Sequence, residues 1–270
     1  MKNSTNAMQN NKKLAAEIKR AQNNDAIANA VMAVCPNLPD DYPVAYAAGR
    51  WFFYGLPFFV NENVLVPRFD TEVLAAEAIK IIQSAGSQPN RKQLNVLDLC
   101  TGSGCIAAAI AKHTNAYVTA VDISEAALEV AHKNSLANGV RIRFLHGNLF
   151  EALDPQNSTV SAEHGIHPNK FNLIVCNPPY IKTAELGKHD KSILAEPQIA
   201  LDGGRDGLDF YRRIIEKAAD YLCVGGFLAL EVGYNQANEC KNLLNAAGFS
   251  DINIVKDKGG HDRVVICRKN

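Results

Sequence analysis

Neither sign of charge predominates in this chain. Lys plus Arg number 28 and Asp plus Glu number 28, a formal charge of +0 over 270 residues. Nothing in that balance draws the whole chain to a nucleic-acid backbone or an anionic membrane, and a duplex-DNA binder is expected to be more basic. The seven cysteines are an odd number and include no CxxC pair, which argues against a disulfide framework or zinc ribbon and for reduced thiols. The histidines form neither HxxxH nor HExxH, so no metal is expected. The apolar run at 26–35 is too short to span a bilayer, and the polar opening at 1–13 lacks the apolar core of an export signal. A cytoplasmic protein is expected, and no internal repeat is visible.

What is present is ordinary globular material, 47% hydrophobic and 21% charged. At roughly 150 residues per domain, the length predicts about two domains or one large α/β domain with an appendage. Leu14 and Ile18, then Ile27, Val31 and Val34, sit at helical spacings, with Asp25 as N-cap between two short helices and Pro36 and Pro39 closing the segment. The runs FFYGLPFFV and NVLVP, separated by Gly55-Leu56-Pro57 and Asn61-Glu62-Asn63, predict a hairpin. Asp70 or Thr71 can cap a helix reaching about Ser84, followed by loop chemistry at 85–92.

Beyond this point apolar runs at 94–99, 117–121, 142–145, 171–175 and 227–232 alternate with helical stretches at 106–111, 125–137, 211–222 and 237–246. Strand–helix alternation implies a parallel sheet covered on both faces. The polar stretch 154–170 reads as a surface insertion, and Gly259-Gly260 precedes a final strand at 264–267.

Two motifs carry chemistry. Asp98-Leu-Cys100-Thr101-Gly102-Ser103-Gly104 falls where a strand gives way to a helix, and Asp122 ends the next strand twenty positions after Gly102. The glycines allow a tight turn and close approach to a ligand, and a carboxylate at that strand tip can accept from both hydroxyls of a ribose. The pair implies a nucleoside ligand, leaving open NAD or S-adenosylmethionine.

Asn177-Pro178-Pro179-Tyr180 follows directly on the fourth apolar run. Two prolines take the chain rigidly out of the sheet. The Asn177 side-chain carbonyl and the Pro178 backbone carbonyl can together accept both hydrogens of one planar NH₂ group, and Tyr180 can cover a planar face of the substrate. That suits methylation of an amide or aromatic amine.

The two motifs together resemble the class I S-adenosylmethionine methyltransferases that methylate amino nitrogens. Within that class, FFYGLPFFVNENVLVPR followed by Phe69-Asp70-Thr71-Glu72, then Glu196-Pro197, Ala200-Leu201-Asp202-Gly203-Gly204, Asp206-Gly207-Leu208 and His261-Asp262-Arg263-Val264, resemble the peptide-chain release factor N5-glutamine methyltransferases from about residue 43 onward. The resemblance implies an α/β fold with a Rossmann-like, mostly parallel sheet and an antiparallel C-terminal strand. A helical segment over 1–48 and a β-hairpin connector over 49–69 would precede a catalytic domain over 70–270.

It also implies a cofactor loop at Cys100–Gly104, a ribose acid at Asp122, adenine-side positions at Asn148 and Leu149, and Asp98 near the cofactor's amino-acid end. The substrate clamp falls on Asn177 to Tyr180, with Asn177, Pro178 and Tyr180 in the catalytic role and Asn177 also beside the cofactor. The implied cofactor is S-adenosyl-L-methionine, leaving S-adenosyl-L-homocysteine. The implied partner is a peptide chain release factor methylated on the glutamine of its Gly-Gly-Gln loop, by a monomer that contacts neither nucleic acid nor membrane.

Three positions depart from the family pattern. Cys100 replaces a frequent glycine, so a negative φ is expected there; Asn148 stands where Asp is common, its amide oxygen still able to accept from an adenine amino group; and the N-terminal helical region is short. Arg68 is read equally as a substrate or cofactor contact or as the ion-pair partner of Asp70 or Glu72. Glu231 is read as structural more readily than site-facing, and Cys176 as a packed small residue. The alternatives are glutamine methylation of a ribosomal protein, adenine-N6 methylation of DNA, for which no target-recognition module is seen, and an NAD-dependent dehydrogenase, for which no hydride-transfer pair is evident.

Overall fold

The computed structural model describes residues 25–34, 42–86, 93–154, 170–189 and 191–270. The polar opening, the helix expected around Leu14 and Ile18, Pro36, Pro39 and nearly all of the 154–170 insertion lie outside these residues.

The front of the chain carries helices α1 (Asp25–Val34) and α2 (Val44–Ala48) and a two-stranded antiparallel hairpin, β1 (Arg50–Phe53) and β2 (Leu56–Phe59). The turn is Tyr54-Gly55, with φ of 52° and 76°, the left-handed pair whose twist matches the flanking strands. Leu56 and Pro57, expected in the turn, therefore belong to β2, where an edge strand tolerates proline. The run NVLVP makes no strand; it is an extended segment leading to α3 (Glu72–Gly86), which starts directly after Thr71. In β1, Phe53 packs with Leu74 and Ile79 of α3, and Trp51 and Phe52 pack among the front residues, with Phe52 and Phe53 each 1% exposed.

The rest is β3 (Asn95–Leu99), α4 (Cys105–His113), β4 (Tyr117–Asp122), α5 (Glu125–Ala137), β5 (Ile142–His146), β6 (Phe171–Cys176), α6 (Asp209–Tyr221), β7 (Leu222–Glu231), α7 (Ala237–Ala246), β8 (Ser250–Lys256) and β9 (Asp262–Arg268). The seven strands lie in the order β5-β4-β3-β6-β7-β9-β8. Pairing is parallel from β5 to β7, and β9 is antiparallel to both its neighbours. The expected mostly parallel sheet with an antiparallel C-terminal strand is the one observed.

Strand β8 went unread because it is an edge strand whose side chains are at most half-buried, so the apolar signal is weak. Strand β7 begins five residues before the apolar run that announced it. A register shift opposite Phe171 and Leu173 accommodates the extra chain.

Alternate residues of β3 feed opposite cores: Leu97 and Leu99 pack with Tyr211, Ile214 and Leu244 from α6 and α7, while Val96 packs with Leu74, Ile82 and Ile110 from α3 and α4. Each such fully buried aliphatic side chain contributes about 1.5–3 kcal/mol. The chain leaves β3 toward β4 and β5, then returns to add β6 on the other side. The carboxyl ends of β3 and β6 thus frame the crevice that such sheets use for ligands.

Candidate active site

A cavity of about 280 Å³ opens at those strand ends. One wall is the turn from β3 into α4. Cys100, Gly102 and Gly104 have φ of 56°, 54° and 77°, so the expectation of negative φ at Cys100 is overturned. A left-handed non-glycine residue costs roughly 1–2 kcal/mol, held here by the Thr101 N–H donating to the Val121 carbonyl at 3.0 Å and the Gly104 N–H to the Thr101 carbonyl at 2.9 Å. A Cβ on Gly102 would meet no heavy atom within 4 Å, whereas one on Gly104 would stand 3.0 Å from the Ala131 Cβ of α5. The first glycine keeps the ligand side open and the second lets the turn pack.

Asp122 faces this loop from the tip of β4. Its Oδ2 accepts the Gly102 N–H at 2.8 Å and its Oδ1 the Ser124 N–H at 3.0 Å, while the Ser124 hydroxyl accepts the Ala127 N–H at 3.2 Å and caps α5. Burial raises the proton affinity of Asp122, and the backbone donors oppose that rise. The carboxylate thus knits loop to helix, and each oxygen retains a lone pair for a further donor. Asp122, Cys100, Thr101, Gly102 and Ser103 line the cavity; Gly104 and Asp98 stand behind them.

Asp98 is fully buried, with Oδ2 accepting the Thr101 hydroxyl at 2.6 Å and Oδ1 lacking a hydrogen-bond partner among the described residues. Burial pushes its pKa up to about 7. At the far end, Asn148 and Leu149 line the cavity, Leu149 with φ of 52°. The Asn148 Oδ1, expected to be an acceptor for adenine, already takes a 2.7 Å hydrogen bond from Arg213, whose guanidinium sits 5.5 Å from the Phe210 ring centroid.

The opposite wall holds Asn177 and Pro179. The Asn177 amide Nδ2 donates to the Thr71 Oγ1 at 3.4 Å. Among the described residues none donates to the Pro178 carbonyl. Pro178 is buried and Tyr180 half-buried, and neither is among the residues lining the cavity. Tyr180 packs against the core, and its carbonyl accepts from Gln236 Nε2 at 2.9 Å. Residues 201–203 run alongside, the Ile181 N–H donating to the Leu201 carbonyl at 3.0 Å and the Gly203 N–H to the Ile181 carbonyl at 2.8 Å. A Cβ at Gly203 would stand 2.6 Å from the Tyr180 Cα, so only glycine lets this second chain support the proline turn.

Arg68 also lines the cavity, and its ion-pair partner is Glu196 rather than Asp70 or Glu72. Glu72 accepts the Tyr54 N–H at 2.8 Å, and Asp70 lies 3.5 Å from Arg263. The Glu196 carboxylate also accepts the Val66 N–H at 3.0 Å. Burial raises its proton affinity and Arg68 lowers it. Glu231, at the end of β7, is 1% exposed, and its Oε2 has no hydrogen-bond partner among the described residues. Burial pushes its pKa up to about 7, while the Thr71 hydroxyl, Arg263 and the Tyr180 hydroxyl pull it down.

The sequence reading missed Thr71, Arg213 and the pairing of Glu196 with Arg68. The PRFDTE and Glu-Pro segments that carry the resemblance contain Thr71 and Glu196, but only the fold joins them. Among the described residues no cluster of three His, Cys, Asp or Glu could hold a metal, and no helix is long and apolar enough to cross a membrane.

Residues 82–204 match the methyltransferase small domain family model. The chain is similar to a release factor glutamine methyltransferase of Geobacter sulfurreducens, 41% identical over 83% of this chain and 72% of that protein. It is likewise 39% identical to one of Fusobacterium nucleatum, over 84% of this chain and 60% of that longer protein. Among solved structures, a methyltransferase of Pyrococcus furiosus matches with a TM-score of 0.54 and 22% identity, over 80% of this chain and 90% of that one, which concerns the fold alone.

Proposed function

The chain belongs to the release factor glutamine methyltransferases, and from that membership we propose that it transfers a methyl group from S-adenosyl-L-methionine to the side-chain amide nitrogen, N5, of the glutamine in the Gly-Gly-Gln loop of a peptide chain release factor. The groups around the cavity suit that cofactor: Asp122 for the ribose hydroxyls, the backbone of Cys100–Gly104 beside it, and Asn148 and Leu149 on the adenine side, with Asp98 buried behind the loop near the amino-acid end. When bound, the cofactor supplies an electrophilic methyl on a sulfonium sulfur.

What this chain's own groups do follows from the chemistry of a carboxamide. The nitrogen lone pair of glutamine is delocalised, so nucleophilicity must come from geometry rather than from a strong base. Asn177 Oδ1 and the Pro178 carbonyl accept the two amide hydrogens and fix the nitrogen's direction. Alignment of this kind supplies up to roughly 7–11 kcal/mol. The negative ends of both carbonyls face the positive charge that grows on nitrogen, worth about 2.7–4 kcal/mol per group by analogy with oxyanion holes of opposite sign. The rigid proline turn keeps these acceptors from reorganising.

The observation that carries this reading is the orientation of Asn177, whose NH₂ is turned to Thr71 while its oxygen is left for a substrate at the cavity wall. Replacing Asn177 by Ala is expected to lower kcat by roughly 10²–10³ and to leave cofactor affinity within a few-fold. Unchanged turnover would remove Asn177 from the mechanism.

The substrate class is tested by incubating the protein with methyl-labelled cofactor and, separately, a release factor, a ribosomal protein and duplex DNA; label on DNA alone would overturn the proposal. The relatives' names favour the first acceptor, and the balanced charge disfavours DNA. We further propose a monomer acting in the cytoplasm, with no nucleic-acid or membrane contact.

A further inference from the structure

Asn148 stands on the adenine side of the cavity with its side-chain oxygen already engaged. It occupies the N-cap position of the short 3₁₀ helix Leu149–Leu153, yet its side chain caps no N–H there. Its Oδ1 instead accepts from Arg213 at 2.7 Å. A guanidinium has donors and no acceptor, so only the oxygen end of the amide can face it. The Nδ2 end is left over, and among the described residues none accepts from it.

Arg213 is held where it can do this. It follows Phe210 by three positions on α6, so the two share a helix face. The guanidinium lies 5.5 Å from the Phe210 ring centroid, and both residues line the cavity together with Asn148 and Leu149. Its neighbour Arg212 pairs with Asp206 and Asp209, whereas among the described residues no carboxylate pairs with Arg213. The Asn148 oxygen is thus the polar partner of a full cation, and a charge-assisted hydrogen bond is roughly twice as strong as a neutral one. Turning the amide over would break that bond and set an NH₂ group against the guanidinium.

We propose that Asn148 recognises the cofactor's adenine as a donor, its Nδ2 meeting a ring nitrogen of the base, and that Arg213 is the positioning residue that fixes this polarity by holding Oδ1. The ring nitrogens N1, N3 and N7 of adenine accept, while its 6-amino group donates, so the two kinds of contact demand opposite ends of the amide. An aspartate at 148 would present acceptors alone. The asparagine and the arginine together therefore change what this end of the cavity asks of a purine.

The inference rests on the reading of the cavity as the cofactor site and not on the identity of the methyl acceptor. It is tested by calorimetric affinities for S-adenosyl-L-homocysteine, for its analogues with N1, N3 or N7 replaced by C–H, and for the analogue lacking the 6-amino group. One ring replacement is expected to weaken binding to the parent protein roughly five- to tenfold and to have little further effect on Asn148→Leu. Loss of the 6-amino group is expected to weaken both proteins by the same factor. Asn148→Asp is expected to exchange the pattern, with the 6-amino group now the sensitive position. Arg213→Met keeps an unbranched stem beside Phe210 and frees the amide to turn, so its ring-nitrogen factor is expected to fall toward that of Asn148→Leu. Melting temperatures without ligand are expected to match the parent, because Asn148 caps nothing and Arg213 is exposed.

A contact of the parent Asn148 with the 6-amino group would mean that the second lone pair of Oδ1 is used, and would overturn the donor role. So would a set of analogues that does not distinguish the parent from Asn148→Leu. An Arg213→Met protein that keeps the full parent factor would overturn the positioning role. In these cases the cofactor site stands; a parent protein that fails to bind S-adenosyl-L-homocysteine itself would show that the underlying reading has failed instead.

Discussion

On one wall of the cavity, the Gly102 N–H donates to the Asp122 carboxylate across 20 positions; on the other, Arg68 and Glu196 are joined across 128. The first wall is made where β3 turns into α4 and where β4 ends, two neighbouring crossovers of one parallel sheet. The second gathers the segment before α3, the proline turn after β6, the strip 196–203 and the end of β7, none of which neighbours another in sequence. Backbone turns shape the cofactor wall, while side chains clasping separate segments shape the substrate wall. Substitutions in the two walls are therefore expected to fail differently, the first through cofactor affinity and the second through turnover.

The largest expected effect lies in the substrate wall. Gly203→Ala forces the proline turn to move, because the new methyl would stand 2.6 Å from the Tyr180 Cα. Its kcat is expected to fall about 10²-fold, as a displacement near 1 Å does elsewhere, with cofactor binding by calorimetry close to the parent value. Equal losses in both measurements would mean the two walls are not independent.

Next comes Asp122→Ala, which strips an acceptor from the Gly102 and Ser124 N–H groups as well as from the proposed ribose contacts. Orphaning such groups costs roughly 1–3 kcal/mol, so cofactor affinity is expected to fall about 10- to 100-fold. A calorimetric titration showing no loss would contradict the ribose assignment.

Each wall also buries an acid with its pKa pushed up to about 7, Asp98 behind the glycine loop and Glu231 behind Thr71. An acid raised in the folded state binds its proton more tightly there than in the unfolded chain. Its contribution to stability is present at low pH and is lost as pH rises through the folded value. Melting temperature is therefore expected to decline between about pH 4 and pH 7, from the ordinary carboxylate range to the raised one. Asp98→Asn and Glu231→Gln should each flatten part of the decline. A parent profile that rises across that window would show both acids to be stabilised as anions.

The smallest effect is Cys100→Gly. It relieves a left-handed cysteine at φ of 56° but adds backbone freedom to the unfolded chain, so stability is expected to change by less than about 1 kcal/mol, and cofactor affinity to stay within a few-fold. Chemical unfolding at constant slope measures it.

The same contrast explains what could be read in advance. The glycine loop, Asp122 and the strand–helix alternation were legible because each depends on local turn chemistry or on apolar runs buried on both faces. Asn177 and its prolines were legible as a rigid exit from a strand. Arg68 was read equally as a substrate or cofactor contact or as the partner of acids two and four positions away, because sequence distance was the only guide to an ion pair whose partner lies 128 positions on. Tyr180 was placed beside the substrate by adjacency to Asn177, while its carbonyl's bond to Gln236 and its packing against the core were not legible. Cys100 was expected at negative φ because strain is invisible in a sequence; the hydrogen bonds of its neighbours hold it. Strand β8 was missed because half-buried edges carry little apolar signal.

The central claim is that two carbonyl oxygens on the proline turn hold a glutamine amide. A crystal structure with the demethylated cofactor product and a peptide carrying Gly-Gly-Gln tests it most directly. The account predicts the glutamine nitrogen about 2.9 Å from both Asn177 Oδ1 and the Pro178 carbonyl oxygen, with the Asn177 NH₂ still on Thr71. A glutamine bound elsewhere, or either oxygen turned from an occupied cavity, would contradict it.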